Sequence, residues 1–363
     1  MLWGNALAWS LPAVHAVVFL IGVIIVGKTL LSAVKTFVLP RGVTDPLTGL
    51  VFRLSRALFD LRGKRVQSFE ERDQLMALYA PVTLLMLPLV WLAIVLVGYG
   101  GMFWSLGIAS PAQAIATSGS SLLTLGFARL HTLAQTILAF SEAGIGLLLV
   151  ALLIAYLPTM YSAWSRREAM VATLEVRAGS PPTVTEMILR FYRMGRLDRI
   201  ADLWIPWETW FTDIEESHTS LAALTFFRSP QPDRSWVGAA GAILDTASFF
   251  SSTIDVPRNV DAQLCLRAGY IALRRIADFF GIQYNPNPQP SDGISISRQE
   301  WDEVVNQLAA AGVPIKADRD QAWRDFEGWR VNYDTVLLAL ARLTMAPYAP
   351  WVSDRSLRME RTT

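Results

Sequence analysis

The chain has 363 residues, 52% of them hydrophobic, with 32 basic and 31 acidic side chains for a net charge of +1. That is length for two domains and an excess of apolar residues. The single cysteine, Cys265, excludes an internal disulfide framework and a cysteine metal cluster. Near-neutral charge says little about partners; no nucleic acid is expected, and the useful signal is where the charges sit.

Three runs in the first 160 residues are long and poor in charge: roughly Val14–Leu39, Ala77–Val97 and Thr136–Tyr156. Each matches the about 20 residues that cross a bilayer core, and none has the polar face of a soluble helix. They predict three membrane-spanning helices. Met1 to Leu11 has no basic stretch ahead of the first run, so no cleavable signal is expected. Lys28 and Lys35 mark the inner end of the first span (residues 1–40), which is expected to pack outside the pore, its role unassigned.

Residues 41–75 follow as a basic linker. Leu47, Leu50, Val51, Leu54, Leu58 and Leu61 fall on one stripe at helical spacing, with Arg53, Arg56, Arg62, Lys64 and Arg65 elsewhere. That pattern predicts an amphipathic helix lying on the cytoplasmic leaflet and meeting anionic lipids. A helix docked on the soluble half is the other reading. Arg41 and Arg72 add to the linker's charge, and Arg166, Arg167 and Arg177 follow the third run. Between the second and third runs stand only Arg129 and His131. By the positive-inside rule the N-terminus lies outside the cell membrane, and the linker and the tail lie in the cytoplasm.

"LVGYGG" at residues 96–101 carries the letters of an ion-selectivity filter. A pore-loop filter needs an outer helix, a half-crossing helix, an extended strand and an inner helix, in that order. Val97–Gly100 directly follows a full span, which leaves no room for the half-crossing helix. We therefore read Gly98 and Gly100 as helix-stop residues and Tyr99 as part of an interfacial aromatic belt.

"SPAQAIATSGSSLLTLGFAR", residues 110–129, fits the order better. Ser110 and Pro111 start a helix as N-cap and first residue, and the next three turns are too short to cross and too apolar for a solvated loop. Thr124, Leu125, Gly126 and Phe127 follow, and then the third run. Over roughly Ala77 to Glu168 the chain resembles the pore module of the two-transmembrane pore-loop potassium-channel superfamily. The resemblance rests on "TSGSSLLTLGFA" and on "SEAGIGLLLVALLIAYLPTMYSAWSRRE". It implies a homotetramer, since one chain supplies one pore loop, with Thr124, Leu125, Gly126 and Phe127 presenting carbonyls to a permeant potassium ion. Family filters read T-V-G-Y-G and then an acid. Here Leu125 replaces valine, Phe127 replaces tyrosine, Ala128 stands where the second glycine belongs, and Arg129 where the acid belongs. Ala128 is expected to make the filter torsions costly. A fourfold ring of Arg129 would repel cations at the outer mouth.

Glu142 is the one acid inside the third span, a functional position by default. It is expected to hydrogen-bond pore-helix hydroxyls among Ser118, Ser120 and Ser121, supporting the filter from behind. Gly144 and Gly146 permit either close packing or a hinge. Pro158, with Tyr161 and Trp164, marks an inner constriction or gate. The pore module closes at about residue 164.

Residues 165–363 read as an all-α cytoplasmic domain. "WSRREAMVATLEVRAG" prolongs the inner helix to Gly179. Helices are predicted over Thr183–Leu197, Ile200–Phe227, Trp236–Phe250, Ala262–Phe280, Ser297–Ala310 (capping box Ser297 and Glu300) and Arg319–Met345. No glycine-rich nucleotide fingerprint, phosphate loop or nucleophile motif occurs, so neither an organic cofactor nor an enzyme is expected. Asp213, Glu215, Glu216 and His218 are better explained by a solvated helix face than by a metal site. Trp204, Trp207 and Trp210 read as a packing stripe, and "RSPQPDRSW" as a stiff turn. The expectation is a homotetrameric cation channel, gated or assembled by its helical tail. The alternative is a membrane-anchored signalling or scaffold protein on a non-conducting channel fold.

Overall fold

The computed structural model describes residues 2–39, 45–63 and 69–354, with side chains from residue 12 onward and those of 69 and 70 excepted. Arg41, Lys64 and Arg65 lie outside the described residues. Among those described, the architecture is all-helical; the one extended pairing is an isolated antiparallel bridge of Ile254 and Ile315. Three helical runs, Pro12–Phe37, Glu71–Ser105 and Leu133–Ala178, are long and apolar enough to cross a membrane. Contacts divide the chain into two compact units: Met1–Val66 with Leu78–Met160, and Gln67–Ala77 with Tyr161–Thr363.

In the first unit α1 (Leu2–Phe37), α2 (Pro46–Gly63) and the short α5 (Pro111–Leu122) pack on α4 (Tyr79–Ser105), and the start of α6 (Leu133–Ala178) is tied to it by hydrogen bonds from Gln135 and Ser141. Glycine explains how closely. A Cβ on Gly22 of α1 would meet the Gly98 carbonyl oxygen at 2.6 Å, and one on Gly100 would meet Ile115 of α5 at 2.4 Å. Gly98 and Gly100 point to nearly opposite sides of one helix, so they let α1 and α5 approach α4 from either side, as small residues do in membrane helix packing. They are not stops: α4 continues to Ser105, and the positive φ of +94° belongs to Gly107. Tyr99 is buried, its hydroxyl 3.0 Å from Ser141 Oγ of α6, and not part of an interfacial belt.

α2 begins at Pro46, capped by Asp45, whose Oδ2 accepts from the Thr48 N–H at 2.9 Å and from Ser32 Oγ of α1 at 2.6 Å. Phe52 and Phe59 pack edge-on against Tyr79, and Arg56 lies 5.5 Å over that ring. Leu50, Leu54, Leu58 and Leu61 are on the other side and exposed. Arg53 and Arg62 flank that row.

The second unit comprises α3 (Phe69–Ala77), the rest of α6, α7 (Val184–Arg193), α8 (Trp204–Ser220), α9 (Trp236–Thr253), α10 (Val260–Phe279), α11 (Arg298–Ala310), α12 (Arg319–Arg330) and α13 (Asp334–Thr344). α9 is its centre: every residue but Ser251 is buried, and α7, α8, α10, α12 and α13 pack on it. Trp204, Trp207 and Trp210 are buried core residues, and the capping box at Ser297 and Glu300 forms as predicted.

Two predicted helices are broken. Ile200–Phe227 divides into a 3-10 turn (Leu197–Leu203), α8, and a second 3-10 turn (Ala222–Phe226). Pro206 has no N–H to give the Asp202 carbonyl, so a continuous helix cannot enter α8. At the far end, the Leu224 and Phe227 carbonyls are taken by the Arg167 guanidinium at 2.9 and 2.7 Å. Arg319–Met345 is interrupted at residues 331–333. There the Asn332 amide donates to the Gly328 and Trp329 carbonyls, a side-chain substitute for the next helical turn.

Candidate functional site

α5 starts as its sequence dictates, with Ser110 Oγ accepting from the Gln113 N–H and Pro111 at the first position. It ends at Leu122, and residues 123–132 run on without helix to α6. One residue organises that loop. The Ser120 carbonyl accepts from the Leu125 and Gly126 N–H groups at 2.8 and 3.3 Å. Its side-chain Oγ accepts from the Phe127 and Ala128 N–H groups at 3.0 and 3.1 Å.

Four successive N–H groups thus converge on a single buried serine. In a trans peptide the carbonyl of the preceding residue points opposite to the N–H. The carbonyls of Thr124, Leu125, Gly126 and Phe127 are therefore turned away from α5, on the side where these four residues are exposed. Left-handed torsions at Thr124 (φ 56°) and Gly126 (φ 71°) make the bend. Glycine takes such a torsion freely, whereas a β-branched threonine is held there by its neighbours. Ala128 is not among the positive-φ residues. The left-handed torsions of this loop fall at Thr124 and Gly126, upstream of the alanine. Arg129 is exposed beyond it.

The loop is anchored behind as well. Glu142 of α6 is fully buried, with Oε1 2.5 Å from Ser118 Oγ of α5. Ser118, Ser120 and Ser121 have separate tasks: Ser118 meets Glu142, Ser120 holds the loop, and Ser121 Oγ turns back to the Thr117 carbonyl at 3.0 Å. The expected Glu142 contact with Ser120 or Ser121 is not made, since those hydroxyls are spent within α5 and its loop.

Gly146 sits against the end of α5, where a Cβ would meet the Leu122 carbonyl oxygen at 2.3 Å. A Cβ on Gly144 would meet nothing within 4 Å among the described residues. Pro158 lies within α6, which runs through it without a break. Gln135, which nothing in the sequence singled out, is 3% exposed. It accepts from the His131 N–H and donates to the Leu106 carbonyl at 3.1 Å, joining the start of α6 to the end of α4.

In the second unit α6 carries a buried polar cluster three turns before its end. Arg167, fully buried, donates to Glu168 at 2.8 Å and lies 3.2 Å from His218 Nε2, besides the two carbonyls already named. Burial and the neighbouring Arg167 charge hold His218 well below the usual histidine range. Trp164 Nε1 donates to the Arg228 carbonyl at 3.1 Å, and the Arg228 guanidinium pairs with Asp73 of α3 at 3.1 Å and donates to the Met345 carbonyl. "RSPQPDRSW" is therefore more than a turn, because it carries the residue joining α3, α13 and Trp164 of α6. Asp213, Glu215 and His218 go to three different partners, Arg166, Arg275 and Arg167. Among the described residues no group of three His, Cys, Asp or Glu side chains is placed to hold a metal.

Comparison of the chain with known families, characterised proteins and solved structures finds no match.

Proposed function

We propose that the protein is a homotetrameric pore-loop ion channel, conducting cations and most readily potassium, in a cell membrane with its N-terminus outside. The observation that carries this reading is the outward turn of the Thr124, Leu125, Gly126 and Phe127 carbonyls. Four such rings around an axis replace the water shell of an ion. One chain supplies a quarter of a ring, so four copies are required. The apolar side of α6 supports the same reading: Leu133, Ile137, Phe140, Leu147 and Ile154 are exposed in the single chain and suit lipid or a neighbouring copy. α2 would lie on the inner leaflet, its leucine row in the acyl boundary and Arg53 and Arg62 at anionic headgroups. The second unit gates or assembles the pore and works without an organic cofactor or enzymatic activity.

Ala128 and Arg129 favour a second reading, a scaffold on a pore that no longer conducts. Counting subunits of purified protein in lipid nanodiscs tests the channel proposal: a tetramer is expected, and a stable monomer or dimer overturns it. If the tetramer is silent, current gained by Ala128→Gly with Arg129→Asp supports the second reading.

A further inference from the structure

The Ser118 hydroxyl owns one hydrogen, yet its oxygen lies 2.5 Å from Glu142 Oε1 and 2.9 Å from the Leu96 carbonyl oxygen of α4. If the carboxyl were ionised, both neighbours would be bare acceptors. One hydrogen cannot serve the two, and one contact would be oxygen against oxygen with nothing between.

The other carboxyl oxygen argues the same way. Glu142 Oε2 is buried and has no hydrogen-bond partner among the described residues. Leaving an anionic oxygen unsolvated and unpaired is far more costly than leaving a neutral carbonyl oxygen there. α5 contains no titratable residue. From α4 comes the Tyr99 phenol, engaged with Ser141 on α6 itself. Among the described residues no Lys, Arg or His is paired with Glu142.

We propose that Glu142 is held as a neutral carboxylic acid and acts as a positioning residue. Its Oε1–H donates to Ser118 Oγ, and Ser118 in turn donates to the Leu96 carbonyl. α6, α5 and α4 are joined in one directional relay, one turn from the loop that Ser120 holds. For the channel reading, on which this consequence alone rests, the neutral acid leaves Arg129 uncompensated. Between Leu106 and Ser141 it is the only Lys, Arg, Asp or Glu. The entrance then carries one positive charge per chain, and cation throughput is limited there.

The test is infrared spectroscopy of the full chain in bilayers at neutral pH, unlabelled and with carboxyl-13C glutamate. A protonated-carboxyl stretch that shifts with the glutamate label is expected in the wild type. It should vanish in Glu142→Gln and move to higher frequency in Ser118→Ala, where the acid loses its acceptor. A wild-type spectrum with no glutamate-derived protonated carboxyl overturns the proposal, as does a band unchanged in both variants. If Glu142→Gln fails to fold, the labelled wild type and Ser118→Ala still decide. The spectrum reads the proton whether or not the protein conducts, so this proposal and the channel reading fail separately.

Discussion

Two glycines one residue apart on α6 should respond oppositely to the same substitution. A methyl at 146 would sit 2.3 Å from the Leu122 carbonyl oxygen, and 3.1 Å from the Leu122 side chain. The oxygen is backbone at the end of α5 and cannot rotate aside, so α5 and α6 must separate by about 1 Å to restore ordinary contact. Overpacking of that kind costs typically about 1–3 kcal/mol, against the roughly 0.5–1 kcal/mol that alanine gains over glycine in a helix. Gly146→Ala should therefore be destabilising by up to about 2.5 kcal/mol. At 144 nothing lies within 4 Å, so only the helix gain applies, and Gly144→Ala should be neutral or stabilising by up to about 1 kcal/mol. Thermal denaturation of the purified variants in one detergent reads the sign directly. Equal destabilisation by both would refute the packing argument. Equal loss of flux with unchanged stability would restore the hinge role.

Ser120→Ala removes the oxygen that accepts from the Phe127 and Ala128 N–H groups. At about 1 kcal/mol for each bond, hydrogen exchange at those two amides should speed up by roughly 5-fold, while Leu125, still bonded to the backbone, changes less; unchanged exchange at both would contradict the loop geometry. His218 titrates well below 6.5, so as pH falls through that value the unfolded chain takes up the proton first. Stability should then drop by about 1.4 kcal/mol per pH unit, a slope that His218→Gln removes and that denaturant titration across pH measures. Arg330 is fully buried between Asp245 and Asp334, and burial raises the Asp245 carboxyl even against that guanidinium. Arg330→Met should cost about 3–5 kcal/mol by stranding the two acids, read as a lower melting temperature that Asp245→Asn partly restores.

The spans, the cap at Ser110, the extension of α6 to Gly179 and the capping box at Ser297 were legible because each depends on residues close in sequence. What escaped depends on distant partners. Gly98 and Gly100 look like stops until α1 and α5 are placed beside them. Arg166 and Arg167 read alike as cytoplasmic charges, yet one is exposed and the other is buried among carbonyls of residues 224 and 227. Asn332 and Pro206 interrupt long helices through local hydrogen bonding, side-chain bonds to two carbonyls in one case and a missing N–H in the other, which hydrophobic periodicity does not register. At the candidate site the sequence located Thr124–Phe127 and paired Glu142 with the hydroxyls of α5. The division of labour among Ser118, Ser120 and Ser121 required coordinates, since three serines within four positions on one helix differ only in where their faces point.

The central claim is tested most directly by ion flux into liposomes carrying the purified protein under a potassium gradient, with sodium and chloride gradients as controls. The account predicts slow, potassium-favouring flux that is lost when Gly126 is changed to valine and raised when Arg129 is changed to glutamine. Flux that is indifferent to both substitutions, or carried by chloride, would contradict it.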